Sequence, residues 1–273
     1  GQNIFELSPA VSVYRNMTRT GVLTLACCLL AAGARADEWQ KSYMVGSDAE
    51  VNVRTGDGNV ELRPGPAGEI RARVVTNGYR LDDDDVRIIE RQTGGRVTIE
   101  LKFPSRFVFN LGRRWVRVEL EVPPGIRADV QTGDGNVTAR DVGGNLRLVT
   151  GDGRIEVEDC SGALYGRTGD GSIRAAGRFG SLELRTGDGS IELTAHEGSR
   201  ITETWKVGTG DGSVRVWLPE TFNFDFDLKT GDGSMEVNLP GITSVSKSER
   251  RLRGRAGNGG GLLSVTTGDG SIV

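Results

Sequence analysis

LRLVTGDGRIEV, residues 146–157, decides the architecture of this chain. Leu146 and Leu148 alternate with polar neighbours ahead of Thr150-Gly151-Asp152-Gly153, and Ile155 and Val157 alternate behind it. A period of two belongs to a strand, whose side chains point by turns to opposite faces, and a helix would repeat its apolar residues every three to four. The stretch therefore reads as strand, tight turn, strand. The unit recurs as LELRTGDGSIEL at 182–193, and Thr-Gly-Asp-Gly begins eight times, at Thr55, Thr132, Thr150, Thr168, Thr186, Thr209, Thr230 and Thr267. The intervals are 77, 18, 18, 18, 23, 21 and 37 residues. Self-similarity at a fixed period of this size marks a repeat architecture and outranks any local motif.

Two arrangements use such units. In an antiparallel meander each turn is a hairpin tip and the sheet needs a second layer, whereas in a parallel solenoid each unit is one rung and the rungs enclose their own core. Near-identical consecutive units favour the second. The expectation is an all-β, single-chain parallel β-helix or solenoid of about 18 residues per rung, wound right-handed as parallel crossovers are. The 77-residue interval holds alternating runs at 69–76, 86–90, 97–103 and 116–122, broken at Asn77-Gly78, Gly94-Gly95 and 104–110. These hairpin signals predict an antiparallel β insertion over 63–125 that caps the N-terminal end, with 126–273 as the main stack.

Composition sets limits on function. Lys and Arg total 34 against 37 Asp and Glu, which argues against a nucleic-acid partner held by bulk positive charge. Forty-one glycines without a collagen period mean turns, and one histidine excludes sites built on several. Met17, Arg19, an apolar run from Gly21 to Ala32, and Ala34-Arg35-Ala36 have the layout of a secretory signal peptide, 17–36. Residues 1–16 read as an upstream extension and 37–273 as the mature β-solenoid domain. The apolar run is too short for a lasting membrane span, so no stable transmembrane segment is expected after signal removal. Cleavage removes Cys27 and Cys28, leaving Cys160 as a small apolar residue inside a rung.

The candidate site residues are the column Asp57, Asp134, Asp152, Asp170, Asp188, Asp211, Asp232 and Asp269. They read as a structural turn ladder. Each carboxylate is expected to accept backbone N–H groups in its own turn, with help from Ser172 or Asn136 and with flanking glycines at positive φ. Bridging calcium is the alternative. Asp82 to Asp85 lacks the ligand spacing of a calcium loop and reads as solvated. Phe222, Phe224, Phe226 and Leu228 read as a buried strand face, with a sugar-stacking platform as the alternative. Arg250, Arg251, Arg253 and Arg255 read as a solvated loop, with an anion or polysaccharide contact as the alternative. His196 sits in a predicted turn. No residue is assigned to catalysis, and no metal or cofactor is expected, because eight equivalent aspartates do not single out an acid and a base.

The eight turns, Gly257-Asn258-Gly259-Gly260-Gly261 ahead of the last copy, and Glu38-Trp39 ahead of the first together resemble the bacterial putative-adhesin family, over residues 37–273. That family is a domain of unknown function with exported, repeat-built β-solenoid members. The resemblance implies a bacterial periplasmic, cell-envelope or extracellular protein and carries no catalytic residues. The functional expectation is an exported, non-enzymatic surface-binding protein whose candidate partners are a cell-surface glycan or another envelope protein. A polysaccharide hydrolase or lyase on the same scaffold, and a periplasmic envelope-stress scaffold or regulator, are the alternatives.

Overall fold

The computed structural model describes residues 36–81, 85–103, 114–239 and 241–273. The upstream extension, all but the last residue of the signal segment, and Asp82 to Asp84 lie outside the described residues. The rest is all-β. Each repeat supplies one strand to each of two facing sheets and crosses between them at Thr-Gly-Asp-Gly.

Sheet A runs β5 (Arg87–Thr93), β6 (Arg96–Lys102), β2 (Glu50–Thr55), β8 (Ile126–Thr132), β10 (Gly143–Val149), then the second halves of β11 (Ile155–Arg167) and β12 (Ile173–Arg185). It continues through β14 (Trp205–Gly208), β19 (Leu262–Thr266), β16 (Phe224–Lys229), β18 (Arg251–Ala256) and β17 (Ile242–Ser248). Sheet B runs β1 (Glu38–Met44), β4 (Glu69–Asn77), β7 (Trp115–Val122), β3 (Asn59–Pro64), β9 (Val137–Arg140), the first halves of β11 and β12, β13 (Ile191–Ala195) and β15 (Val214–Trp217). Ile272 and then Met235 extend it by single bridges. Pairing is parallel through the interior. It turns antiparallel only near the ends, at β5, β1 and β4 on one side and at β18 and β17 on the other. The 63–125 segment thus supplies the antiparallel strands β4 and β5, of which β5 is an edge, and its β6 and β7 also form a parallel rung beside β2 and β3.

Parallel in-register stacking puts like on like. Val60, Val137, Ile155, Ile173, Ile191, Val214 and Ile272 form one inward column of sheet B, and all seven are buried. β-branched side chains fit such a pleated, two-sided environment.

The glycines of the turn are needed for a reason other than the expected one. None of those in Thr-Gly-Asp-Gly occupies the left-handed region. A Cβ on Gly153 would instead stand 2.0 Å from the carbonyl oxygen of Gly135 in the preceding turn. Successive turns approach so closely that any side chain at this position collides with the backbone below. Left-handed backbone occurs at the opposite corner, at Asp141 (φ 57°) and Asp159 (φ 52°).

The stack does not follow chain order at its C-terminal end. β19, the last strand in sequence, pairs with β14 on one side and β16 on the other. The turn at Thr267 therefore lies between those at Thr209 and Thr230. The hairpin β17–β18 spans most of the interval between the last two copies and pairs beyond β16. The arginine run expected as a loop is this strand. Leu252 and Ala256 are buried, while the intervening arginines face out and pair with aspartates of β16, which is why the segment is extended rather than solvated coil.

At the N-terminal end the two sheets are tied together. Tyr43 and Lys41 of β1 both donate to the carboxylate of Glu90 in β5, and the amide of Gln92 donates to the carbonyl of Met44 at 2.7 Å. Burial, then the Glu90 carboxylate, pushes the Tyr43 phenol upward.

Candidate functional site

The bonds of the turn corner belong to threonine. The Thr168 hydroxyl lies 3.1 Å from the carbonyl of Gly151 and 2.9 Å from that of Gly153, both in the preceding turn, and shares its proton between them. The same pair of contacts recurs at Thr132, Thr150, Thr186, Thr209, Thr267 and Thr230. All are buried. The Oγ1 of Thr55, in the first copy, is buried and has no partner among the described residues.

The eight aspartates follow on the outside of this ladder, every one exposed. In the stack they run 57, 134, 152, 170, 188, 211, 269, 232, a rung of about 4.8 Å apart. Asp232 accepts from Arg250 at 3.0 Å. The other seven carboxylates accept no hydrogen bond among the described residues, so the local N–H bonding expected of them is absent there. The asparagines do bond between turns: Asn59 Oδ1 accepts from the N–H of Asn136 at 2.9 Å, and Asn136 Oδ1 from that of Arg154 at 2.8 Å. Among the described residues no group of three or more His, Cys, Asp or Glu is arranged to hold a metal ion. His196 Nδ1 lies 3.6 Å from Asp159 Oδ1 on the surface. Nearby Ser199 donates to the carbonyl of Gly177 and accepts from the N–H of Phe179. Cys160 is buried and free, and burial pushes its thiol up to about 11.

Phe224, Phe226 and Leu228 point inward and are buried, as the alternation predicts. Trp205, Phe222, Phe224 and Phe226 form a continuous row of rings with centroids 5.7, 5.6 and 6.1 Å apart. The arginines of β18 are paired in place, Arg251 and Arg253 sharing Asp227 and Arg255 taking Asp225. Arg251 Nε donates to Asp227 at 2.7 Å, Arg255 Nε to Asp225 at 2.7 Å, and the Arg255 guanidinium lowers the Asp225 carboxyl.

Outward positions of the strands make two flat polar faces. On sheet B, Arg140 is held by Glu61 at 3.1 Å and Glu158 at 2.7 Å, and Arg174 by Glu192 at 2.8 Å. On sheet A, register sets Asn52, Asp129, Arg147, Tyr165 and Glu183 side by side across five strands. They line a shallow groove of about 370 Å³ together with Asn145 and Ser181. The Arg147 guanidinium stands 4.3 Å over the Tyr165 ring and 3.7 Å from the Asp129 carboxylate. At the groove edge, the Arg96 guanidinium holds the Glu50 carboxyl below its usual range. A phenol, two amides, a hydroxyl, carboxylates and guanidinium thus share one plane, a set that exchanges hydrogen bonds with a polyhydroxylated surface. Sequence reading passed over these residues because each looks like an ordinary solvated strand position. The available signal was a Tyr at an outward position, between Arg147 and Glu183 in the neighbouring copies.

Residues 127–273 match the family profile described as Toastrack DUF4097. No curated protein matches the chain. Among solved structures, a "putative cell adhesion protein" from Clostridium sporogenes ATCC 15579 is 13% identical, with 86% of this chain and 98% of that chain covered and a TM-score of 0.39. A "putative adhesin" from Bacteroides fragilis NCTC 9343 is 14% identical, with 86% and 96% covered and a TM-score of 0.33.

Proposed function

The chain belongs to the Toastrack DUF4097 family, and from that premise we propose that it is an exported, non-enzymatic β-solenoid that binds a cell-surface glycan through the outer face of sheet A. The observation that carries this reading is the planar groove around Tyr165 and Arg147. Its polar groups lie side by side instead of converging on one point. Such a layout suits many weak contacts to a repeating polymer, whereas hydrolysis needs two carboxyls at a set separation flanking one bond. The signal-like segment 17–36 supports export, and the mature protein begins at Asp37 in this reading. The aspartate edge is its solvated rim.

A glycan array and a depolymerisation screen test the proposal. Binding to at least one cell-envelope polysaccharide is expected, weakened tenfold or more by Arg147→Ala and by Tyr165→Ala, with no polymer shortened. Turnover of any polymer, or binding unchanged in both variants, would overturn it.

A further inference from the structure

Among the described residues, the space between the sheets is closed at one end and open at the other. At the N-terminal end Tyr43, Lys41 and Glu90 join the two sheets, and the rings of Tyr79 and Phe103 pack edge to face. At the C-terminal end sheet A continues past β16 into β18 and β17, while sheet B stops at segment 234–239. That segment is attached by the Met235–Ile272 bridge, with the Glu236 N–H donating to the carbonyl of Ile272 at 2.9 Å. The mismatch leaves a cavity of about 280 Å³ between the sheets. Phe224, Phe226 and Leu228 form one wall, and Val216, Ile272 and Val237 line the other. Val216, Val237 and Leu239 are only half-buried although they belong to the apolar core pattern. At the rim stand Trp217, 51% exposed, and the exposed Arg215, Glu236 and Asn238.

The inner wall is carbon. Among the described residues, the one buried side-chain polar atom lacking a partner is Thr55 Oγ1, near the opposite end of the stack, so nothing polar waits in the cavity for a ligand. Facing sheets lie about 10 Å apart and their own side chains fill much of that gap. A helix is about 10–12 Å across with its side chains and does not fit. A strand edge pushed inward would carry backbone N–H and C=O groups into carbon without partners. A single hydrocarbon chain meets both conditions, and a volume near the lower end of the ~300–1,000 Å³ range of small-ligand sites admits one chain and not two.

We propose that this end of the solenoid is a binding site for the apolar tail of a single-chain amphiphile of the fatty-acyl class, entering past Trp217 with its polar head left in water among Arg215, Glu236 and Asn238. The site is separate from the sheet A groove and does not depend on glycan binding. The test is calorimetric titration of the full chain with octanoate, decanoate and dodecanoate, each below its micelle-forming concentration. Saturable binding near one per chain is expected, tightening about fourfold per added methylene until the cavity is full. Val237→Asp, which puts a charge in the wall, and Leu239→Trp, which fills the mouth without charge, are each expected to weaken decanoate at least tenfold. If the charged variant does not fold, the uncharged one decides. Phosphatidylcholine vesicles separate free amphiphile from bilayer. No saturable alkanoate binding, equal affinity in the folded variants, binding to vesicles alone, or self-association of the chain through this end would each overturn the assignment.

Discussion

The side-chain hydroxyl of Thr230 donates to the main-chain carbonyl of Gly270 at 3.1 Å, forty residues further along the chain. Thr267, in turn, donates to Gly212 at 2.8 Å. The seventh copy in sequence is thus the eighth in space, and the strand between it and the rest of the stack is the last one in the chain.

Removing residues 257–273 takes away the strand to which both β14 and β16 are paired. By hydrogen exchange, the amides of Asp225 and Asp227, which face β19, are expected to lose their protection while those of Leu164 and Leu182 keep theirs, because each rung rests only on its neighbours. Unchanged protection in β16 would contradict the observed rung order.

Three substitutions divide the labour of the turn. Thr168→Val keeps shape but strips the proton shared by two carbonyls, and is expected to cost about 1–3 kcal/mol. Thr55→Val removes a buried oxygen that has no partner among the described residues, so it should be neutral or slightly stabilising. Asp170→Ala, at an exposed carboxylate, should stay within about 0.5 kcal/mol. Denaturant unfolding of the three variants reads all of this, and a Thr168 effect no larger than that of Asp170 would return the turn to the aspartates.

Gly171 faces the same collision as Gly153: a Cβ would meet the carbonyl oxygen of Gly153 at 2.0 Å. Gly171→Ala is expected to cost about 3 kcal/mol or more, since the obstacle is backbone and the turns above and below cannot shift independently. A loss under about 1 kcal/mol in urea unfolding would show that the turns do not stack this closely.

Alkali should weaken the fold through two buried acids. Burial, ahead of the nearby Asp141 and Asp159 charges, raises the Cys160 thiol to about 11, whereas an unfolded thiol ionises near about 8.5. Between those values the unfolded chain releases a proton that the folded chain keeps, so stability present below pH 8 falls as pH rises. Tyr43, raised by burial and Glu90, acts in the same direction. Urea midpoints at neutral pH and at about pH 10 should differ. Cys160→Ala should flatten most of that difference and Tyr43→Phe a smaller part, because an unfolded phenol is only about half ionised at pH 10. A native thiol that reacts with a disulfide reagent within seconds at pH 8 would contradict the burial on which this rests.

The strands around Thr150 were legible because alternation and turn chemistry are local. Leu146, Leu148, Ile155 and Val157 are buried, as their spacing requires. What a side chain does across rungs was not legible. Aspartate and threonine both suit a turn, and only the neighbouring turn's carbonyls, contributed by residues 15 or more positions away, select the threonine. Glycine was expected for left-handed backbone, but a collision with another turn leaves no local trace. Arg251 to Arg255 masked a strand because Gly254 takes the place of an apolar residue there. A Cβ on Gly254 would lie 2.3 Å from the Phe226 ring. The groove around Tyr165 draws on five strands, and its members share no sequence motif.

Both ends of the molecule are individually fashioned, by the Glu90 tie at one and by β19 at the other, but the turns from Thr132 to Thr186 are interchangeable. Each offers the same two carbonyls above and the same hydroxyl below. One further 18-residue unit placed between Thr168 and Thr186 would meet matching partners on both sides and leave either end untouched. It would carry the ends apart by about 4.8 Å. Duplication within the uniform stretch is thereby a means of setting length, a ruler graduated in single rungs, on which the span between the tied end and the open cavity can be adjusted without redesigning either.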